Sequence, residues 1–144
     1  MRKSAATATA TLLGLFASVA MTADETTFRA RLSMVPIDPA TAPSVTGVGE
    51  ARGTLEGTTL VLSGRFEGLQ GPATVARLHS GVRTGVRGEA FADLTVTAAT
   101  AGTISGSIDL SPEQLAALRS GRVYIQIHSE AAPDGNLWGW LLPD

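Results

Sequence analysis

The sequence contains no cysteine, which excludes several kinds of chemistry at once. Without cysteine the chain has no disulfide bonds, no thiolate nucleophile and no thiolate metal site. An exported domain of this size must then be stabilised by its packed core. Attachment of a lipid to a cysteine beside a cleavage site is excluded for the same reason.

Lysine is almost absent as well, since Lys3 is the only one in the chain. The formal net charge is −2 at pH 7, and the arginines are scattered along the sequence. A nucleic-acid-binding surface needs a basic patch or stripe, so we expect no nucleic-acid partner. The only asparagine, Asn136, precedes Leu-Trp and does not form an N-glycosylation site.

Residues 1–23 have the layout of a secretory signal peptide. Arg2 and Lys3 form a positive start, an Ala/Thr/Leu-rich run follows, and small residues precede possible cleavage sites at Ala20 and Ala23. The apolar run has roughly 16 residues, fewer than the about 20 that a membrane span needs. We expect cleavage after Ala23, a secreted or periplasmic protein, and no stable membrane span. An uncleaved inner-membrane tether is the alternative.

Short segments in which apolar and polar residues alternate fill the rest of the chain. Glycine, proline and Asp/Asn turns separate them, which is typical of antiparallel β-structure. We predict about eight short strands, near residues 26–33, 45–55, 58–69, 74–80, 90–97, 103–110, 122–129 and 136–142. Since no linker divides residues 24–144, the sequence predicts one all-β domain, an antiparallel β-sandwich.

One short helix is predicted near residues 111–120. Ser111 is suited to the N-cap, Pro112 to the first helical position, and Gln114 completes a capping box. Gly121 provides the C-terminal stop. A helix of about two turns is stable only when it packs against something apolar, so we expect its leucines to contact the neighbouring strands.

Two connections are also informative. Residues 34–44 contain three prolines, which exclude a central strand or a helix there, and we predict an ordered loop that crosses the surface. Residues 81–88 form a glycine-rich loop that has neither the strand-to-helix junction nor the lysine of a phosphate-binding loop. We interpret it as a flexible connection between strands.

Two stretches resemble a known family. One is Gly71-Pro-Ala-Thr-Val-Ala-Arg-Leu-His-Ser-Gly81. The other runs from Leu110 through the Tyr-Ile-Gln-Ile-His strand and the Pro-Asp-Gly turn to Leu142. In this order they resemble the chordin-type (CHRD) domain over about residues 28–142. The resemblance implies a non-catalytic extracellular or periplasmic domain, a binding or structural module with an unknown protein partner or with itself as partner.

The resemblance also implies candidate binding residues on two strands. His79 and His128 match histidines of the family's motifs, and Tyr124 matches its tyrosine. Arg77 stands where the family has another histidine, and Gln126 where it has asparagine. A function that depends on the family's two-histidine motif is therefore not expected to carry over unchanged.

The final strand departs further from the family. Asn136, Trp138 and Trp140 replace a glutamate, an arginine and a glutamine, and strand alternation places the three on one face. Because the chain has few other large aromatic residues, we expect the two tryptophans to fill the core or cover its open end. The alternative is an exposed aromatic platform for a sugar, a peptide or a partner protein.

Three hypotheses compete for the two histidines, His79 and His128. We favour hydrogen-bonded structural residues that link neighbouring strands. The second hypothesis is a copper or zinc site like that of superoxide dismutase, also a β-sandwich, although two histidines cannot supply the four ligands of a closed zinc site without help from Asp or Glu. The third is a pH-sensitive binding surface.

No catalytic residues are predicted. Ser80 and Ser129 each follow a histidine directly, but adjacent residues of a strand face opposite sides and cannot form a nucleophile–base pair. The Gly-x-Ser-x-Gly motif of hydrolases is absent from the sequence. We therefore expect a protein that is not an enzyme and that needs no cofactor.

Overall fold

The computed structural model describes residues 24–144, so the predicted signal segment, residues 1–23, lies outside the described residues. The described part of the chain forms nine strands and one helix. In chain order they are β1 (Glu25–Met34), β2 (Val48–Glu56), β3 (Thr59–Glu67), β4 (Ala73–Ser80), β5 (Glu89–Val96), β6 (Gly102–Asp109), α1 (Pro112–Arg119), β7 (Val123–Ser129), β8 (Leu137–Trp140) and β9 (Leu142–Pro143). Each predicted strand is present within a few residues of its expected position.

The strands form one closed antiparallel barrel of eight strands, which corrects the predicted sandwich. Around the barrel the order is β1-β2-β3-β6-β5-β4-β7-β8, and β8 pairs again with β1, while β9 is added to the first half of β1. Two strands join the β2-β3-β6 part of the barrel to the β4-β7-β8 part. Strand β1 pairs with both β2 and β8, and β5 pairs with both β4 and β6. Alternating strands look the same in a sandwich and in a barrel, so the pattern could not distinguish the two.

Inward-facing aliphatic side chains fill the barrel, together with two phenylalanines, Phe28 and Phe66. On β7, Val123, Ile125 and Ile127 are fully buried and alternate with residues that point outward. Burial of each such side chain stabilises the fold by about 1.5–3 kcal/mol. Burial of the core thus contributes stability that disulfides cannot provide in a chain without cysteine.

The helix α1 begins as predicted. The Ser111 side chain accepts from the Gln114 N–H at 3.2 Å, and the Gln114 side chain accepts from the Ser111 N–H at 2.9 Å. Ala117 and Leu118 are buried against the barrel. This helix is short, and no helix within residues 24–144 is long and apolar enough to span a membrane.

Candidate binding surface

Seven of the eight predicted binding residues lie on three neighbouring strands, on the side of the sheet that faces away from the core. Strand β7 pairs with β4 on one side and with β8 on the other, and the register aligns their side chains in rows. The first row is His79–Tyr124–Trp140, the second is Arg77–Gln126–Trp138, and His128 lies in the third row, opposite Val75. We call the surface formed by these seven predicted residues the outer face.

Tyr124 is the centre of an aromatic cluster on the outer face. Its ring centroid lies 4.8 Å from that of His79, 4.4 Å from that of Trp140 and 5.9 Å from that of Trp138. Tyr124 is only 1% exposed, whereas both indoles are half-buried. Contrary to expectation, the tryptophans do not fill the barrel, because strand alternation points Leu137 into the core and both indoles outward.

The glycine-rich loop, residues 81–88, contacts this cluster through Gly88. The Gly88 N–H donates to the Tyr124 hydroxyl at 3.0 Å, and that hydroxyl donates to the Gly88 carbonyl at 3.2 Å. A Cβ atom at Gly88 would lie 1.8 Å from the Ser80 carbonyl oxygen, and one at Gly81 would lie 2.0 Å from a carbonyl oxygen of the loop. Only glycine fits at the two ends of the loop.

The same loop fixes the tautomer of His79. Its Nδ1 lies 2.9 Å from the Gly88 carbonyl oxygen, which can only accept, so Nδ1 carries the proton and Nε2 keeps a lone pair. Nε2 is buried and has no hydrogen-bond partner among the described residues. Burial holds the pKa of His79 below its usual value, although the bond to Gly88 acts in the opposite direction. His79 is therefore neutral at neutral pH.

Gln126 and His128 hold the turn that follows β7. The Gln126 side-chain N–H groups donate to the Asp134 carbonyl at 3.2 Å and to Nε2 of His128 at 3.3 Å. Nδ1 of His128 donates to the Pro133 carbonyl at 2.8 Å. The donors and acceptors match along the whole chain of bonds.

Asn136 does not join the tryptophans on the outer face. Its side chain is completely buried, accepts from the Ser129 hydroxyl at 2.8 Å and donates to the Thr46 carbonyl at 2.6 Å. Asn136 thus connects the turn after β7 to the segment before β2. We assign it a structural role.

Two arginines lie beside the cluster. Arg77 forms an ion pair with Asp93 of β5, with 2.9 Å between Nε and Oδ1. The Arg87 guanidinium carbon lies 5.4 Å from the ring centroid of Trp138, within the range of a cation–π interaction. The sequence did not point to Arg87 or Gly88, and the only available signal was the spacing of glycines in their loop.

The two histidines lie in different rows of the outer face. His79 lies opposite Tyr124, and His128 lies four residues further along β7, which is roughly 13 Å in a strand. Nδ1 of each histidine donates to a main-chain carbonyl. Within residues 24–144, no three His, Cys, Asp or Glu side chains are grouped so that they could hold a metal ion. The expected absence of a metal, and its alternative of copper or zinc held by both histidines, stay predictions.

Comparison with known proteins agrees with the resemblance seen in the sequence. The CHRD domain family matches residues 16–141 of the chain, a range that contains the whole outer face. This is an extracellular-type domain family. No curated protein and no solved structure gives a significant match. Because the match covers most of its length, the chain belongs to the CHRD domain family.

Proposed function

We propose that this protein is a secreted, non-catalytic CHRD domain that binds another protein through its outer face. The observation that carries the proposal is the pair of half-buried tryptophans, Trp138 and Trp140, which lie on a sheet surface outside the core. Both indoles leave part of their surface exposed to solvent in that position. At protein interfaces, tryptophan, tyrosine and arginine contribute most of the binding energy.

The order of the surface also favours binding. Tyr124 supports both indoles from below, and the loop that ends at Gly88 fixes Tyr124 by two hydrogen bonds. Trp138 and Trp140 meet edge to face, with centroids 6.0 Å apart. Side chains held in place before binding lose little conformational entropy on binding, which raises affinity.

Selection from a random peptide library displayed on phage tests the proposal and does not require the partner to be identified. The purified protein, expressed from the full sequence, is the bait, and enriched peptides are measured against Trp138→Ala and Trp140→Ala. Loss of an interface tryptophan costs at least about 2 kcal/mol of binding energy, so we expect affinity to fall about thirtyfold or more.

Val61→Ala is the matched control, because Val61 is an exposed apolar residue on β3, away from the outer face. This variant should keep full affinity. Enriched peptides that bind both tryptophan variants as tightly as the original protein would refute the proposal. If the selected peptides resemble segments of this chain, sedimentation of the protein alone decides whether the partner is a second copy.

A further inference from the structure

A shallow pocket lies beside Trp138, between the segment that follows β1 and the turn that follows β7. Its volume is about 180 Å³, and a cavity of about 150 Å³ already holds benzene. The buried side chains of Val35, Val45 and Ala132 form an apolar cluster at the pocket, and Trp138 packs against it. The pocket is therefore the size of one aromatic or large aliphatic side chain.

Both walls of the pocket are held by hydrogen bonds. On one side, the Asp38 carboxylate accepts from the N–H groups of Ala40 at 2.8 Å and of Thr41 at 2.9 Å, and these bonds hold the pKa of Asp38 below its usual value. On the other side, Gln126 and His128 hold the main chain of the turn. A pocket that is formed in advance binds its ligand without the cost of ordering its walls.

The rim of the pocket carries one cation and one anion. Arg87 and Asp134 both line it, and neither forms an ion pair with another residue of the described range, 24–144. The position of the Arg87 guanidinium over Trp138 leaves the N–H groups at its edge free to donate to a carboxylate. An apolar pocket between a donor and an acceptor matches the end of a polypeptide, which offers a side chain, a carboxylate and an amide N–H.

We propose that this pocket binds the free C-terminus of the partner protein, with a large apolar residue in the last position. The last side chain enters the pocket, the terminal carboxylate pairs with Arg87, and the last amide N–H donates to the Asp134 carboxylate. An internal peptide segment or an N-terminus offers Arg87 only a neutral carbonyl oxygen, whereas a free C-terminus offers it a carboxylate. The inference rests on the proposed function and specifies the chemistry of the partner.

Four small probes test the inference on the purified protein by NMR titration. N-acetyl-phenylalanine carries the ring, the carboxylate and the amide N–H. N-acetyl-phenylalanine amide lacks the charge, phenylalanine amide carries an ammonium group instead, and N-acetylglycine lacks the ring. A charge-assisted hydrogen bond is worth about 1.5–3 kcal/mol, so we expect the first probe to bind at least about tenfold more tightly than the second. The fourth should not saturate. The third can pair its ammonium with Asp134 but offers Arg87 only a neutral carbonyl, so we expect it to bind more weakly than the first, and tighter binding of the third would overturn the inference.

Three variants complete the experiment. Arg87→Gln should remove the preference for the carboxylate, and Arg83→Gln, an exposed arginine of the same loop, should keep it. Ala132→Leu should fill the pocket and abolish binding, with circular dichroism as the check on its fold. Equal affinity of the first two probes, or an unchanged preference in Arg87→Gln, would overturn the inference. If no probe binds while the selected peptides still require Trp138 and Trp140, the inference fails and the proposed function stands.

Discussion

The imidazole of His79 is stacked on the phenol ring of Tyr124, with the ring planes 16° apart and the centroids 4.8 Å apart. The two residues are directly opposed on β4 and β7, and both contact the main chain of Gly88. This pair therefore determines where the glycine-rich loop lies. The loop in turn places Arg87 over Trp138, so the pair supports the outer face as a whole.

Stability should decrease as the pH falls through the range in which histidine titrates. The folded state disfavours protonation of His79, whose pKa is lowered from its usual 6.5, mainly by burial. Below about pH 6.5 the unfolded chain takes up a proton at His79 that the folded chain does not. The contribution of neutral His79 to the free energy of unfolding is therefore complete above the usual pKa. It is lost progressively between that value and the lowered pKa.

His79→Phe keeps a stacked ring without a titrating group, and urea denaturation between about pH 5 and about pH 7.5 measures the difference. The original protein should lose more free energy of unfolding over this range than the variant. Parallel pH profiles would show that His79 is not the group responsible.

Tyr124→Phe should destabilise the protein by about 1–2 kcal/mol, because the Gly88 N–H loses its acceptor while the ring stacking is retained. Chemical denaturation measures the loss. Hydrogen exchange adds a local check: exchange of the Gly88 amide should accelerate more in the variant than exchange of the β2 amides, which follows only the global loss of stability. Unchanged protection at Gly88 would contradict the contact.

Gly88→Ala should cost about 3 kcal/mol, because the new methyl group overlaps the Ser80 carbonyl oxygen and the strand or the loop must shift. The matched control is Gly85→Asn in the same loop. Gly85 has a φ of 83° but no atom near its Cβ position, and asparagine tolerates that conformation. The free energy of unfolding of the control should fall by less than about 1 kcal/mol. Thermal denaturation of both variants checks the contrast, and similar losses would argue against a closely packed loop.

Asn136→Ala should be among the more damaging substitutions outside the hydrophobic core. It leaves the Thr46 carbonyl without its donor and the Ser129 hydroxyl without its acceptor, both next to buried chain. The expected loss is about 3 kcal/mol. Ser107→Ala, an exposed position on β6, should change stability by less than about 0.5 kcal/mol. Urea denaturation of the two variants tests whether Asn136 is structural; comparable midpoints would contradict that role.

Calorimetric titration with Cu(II) or Zn(II) should reveal no tight site that depends on both histidines. The expected reason is distance, since His79 and His128 lie roughly 13 Å apart along the strand direction and each donates to a carbonyl. The matched variants are His79→Ala and His128→Ala. Tight 1:1 binding that both variants abolish would support the metal hypothesis.

Local signals in the sequence predicted local structure well. The alternation on β7 and the capping box of Ser111 and Gln114 each depend on residues close in the chain, and both predictions are confirmed. The closure of the barrel was not predictable in this way. It depends on β1 pairing with both β2 and β8, and the alternation of apolar and polar residues in β1 carries no information about a second partner.

The candidate site shows the same limit. Alternation correctly placed Trp138 and Trp140 on one face, but it could not say which face meets the core. The small number of other large aromatic residues favoured the face that meets the core, whereas both indoles lie on the opposite face. The role of the loop depends on Gly88 contacting Tyr124, which lies 36 positions away in the chain. No local pattern reports such a contact.

The most direct test of the outer face is an NMR titration of its two indole N–H signals with a peptide selected on phage. The chain has two tryptophans, so the spectrum of the purified protein offers one indole signal each for Trp138 and Trp140, and single Trp→Phe variants assign them. We predict that both signals shift and saturate at the same peptide concentration. Unmoved indole signals, with shifts confined to amides elsewhere on the barrel, would contradict the account.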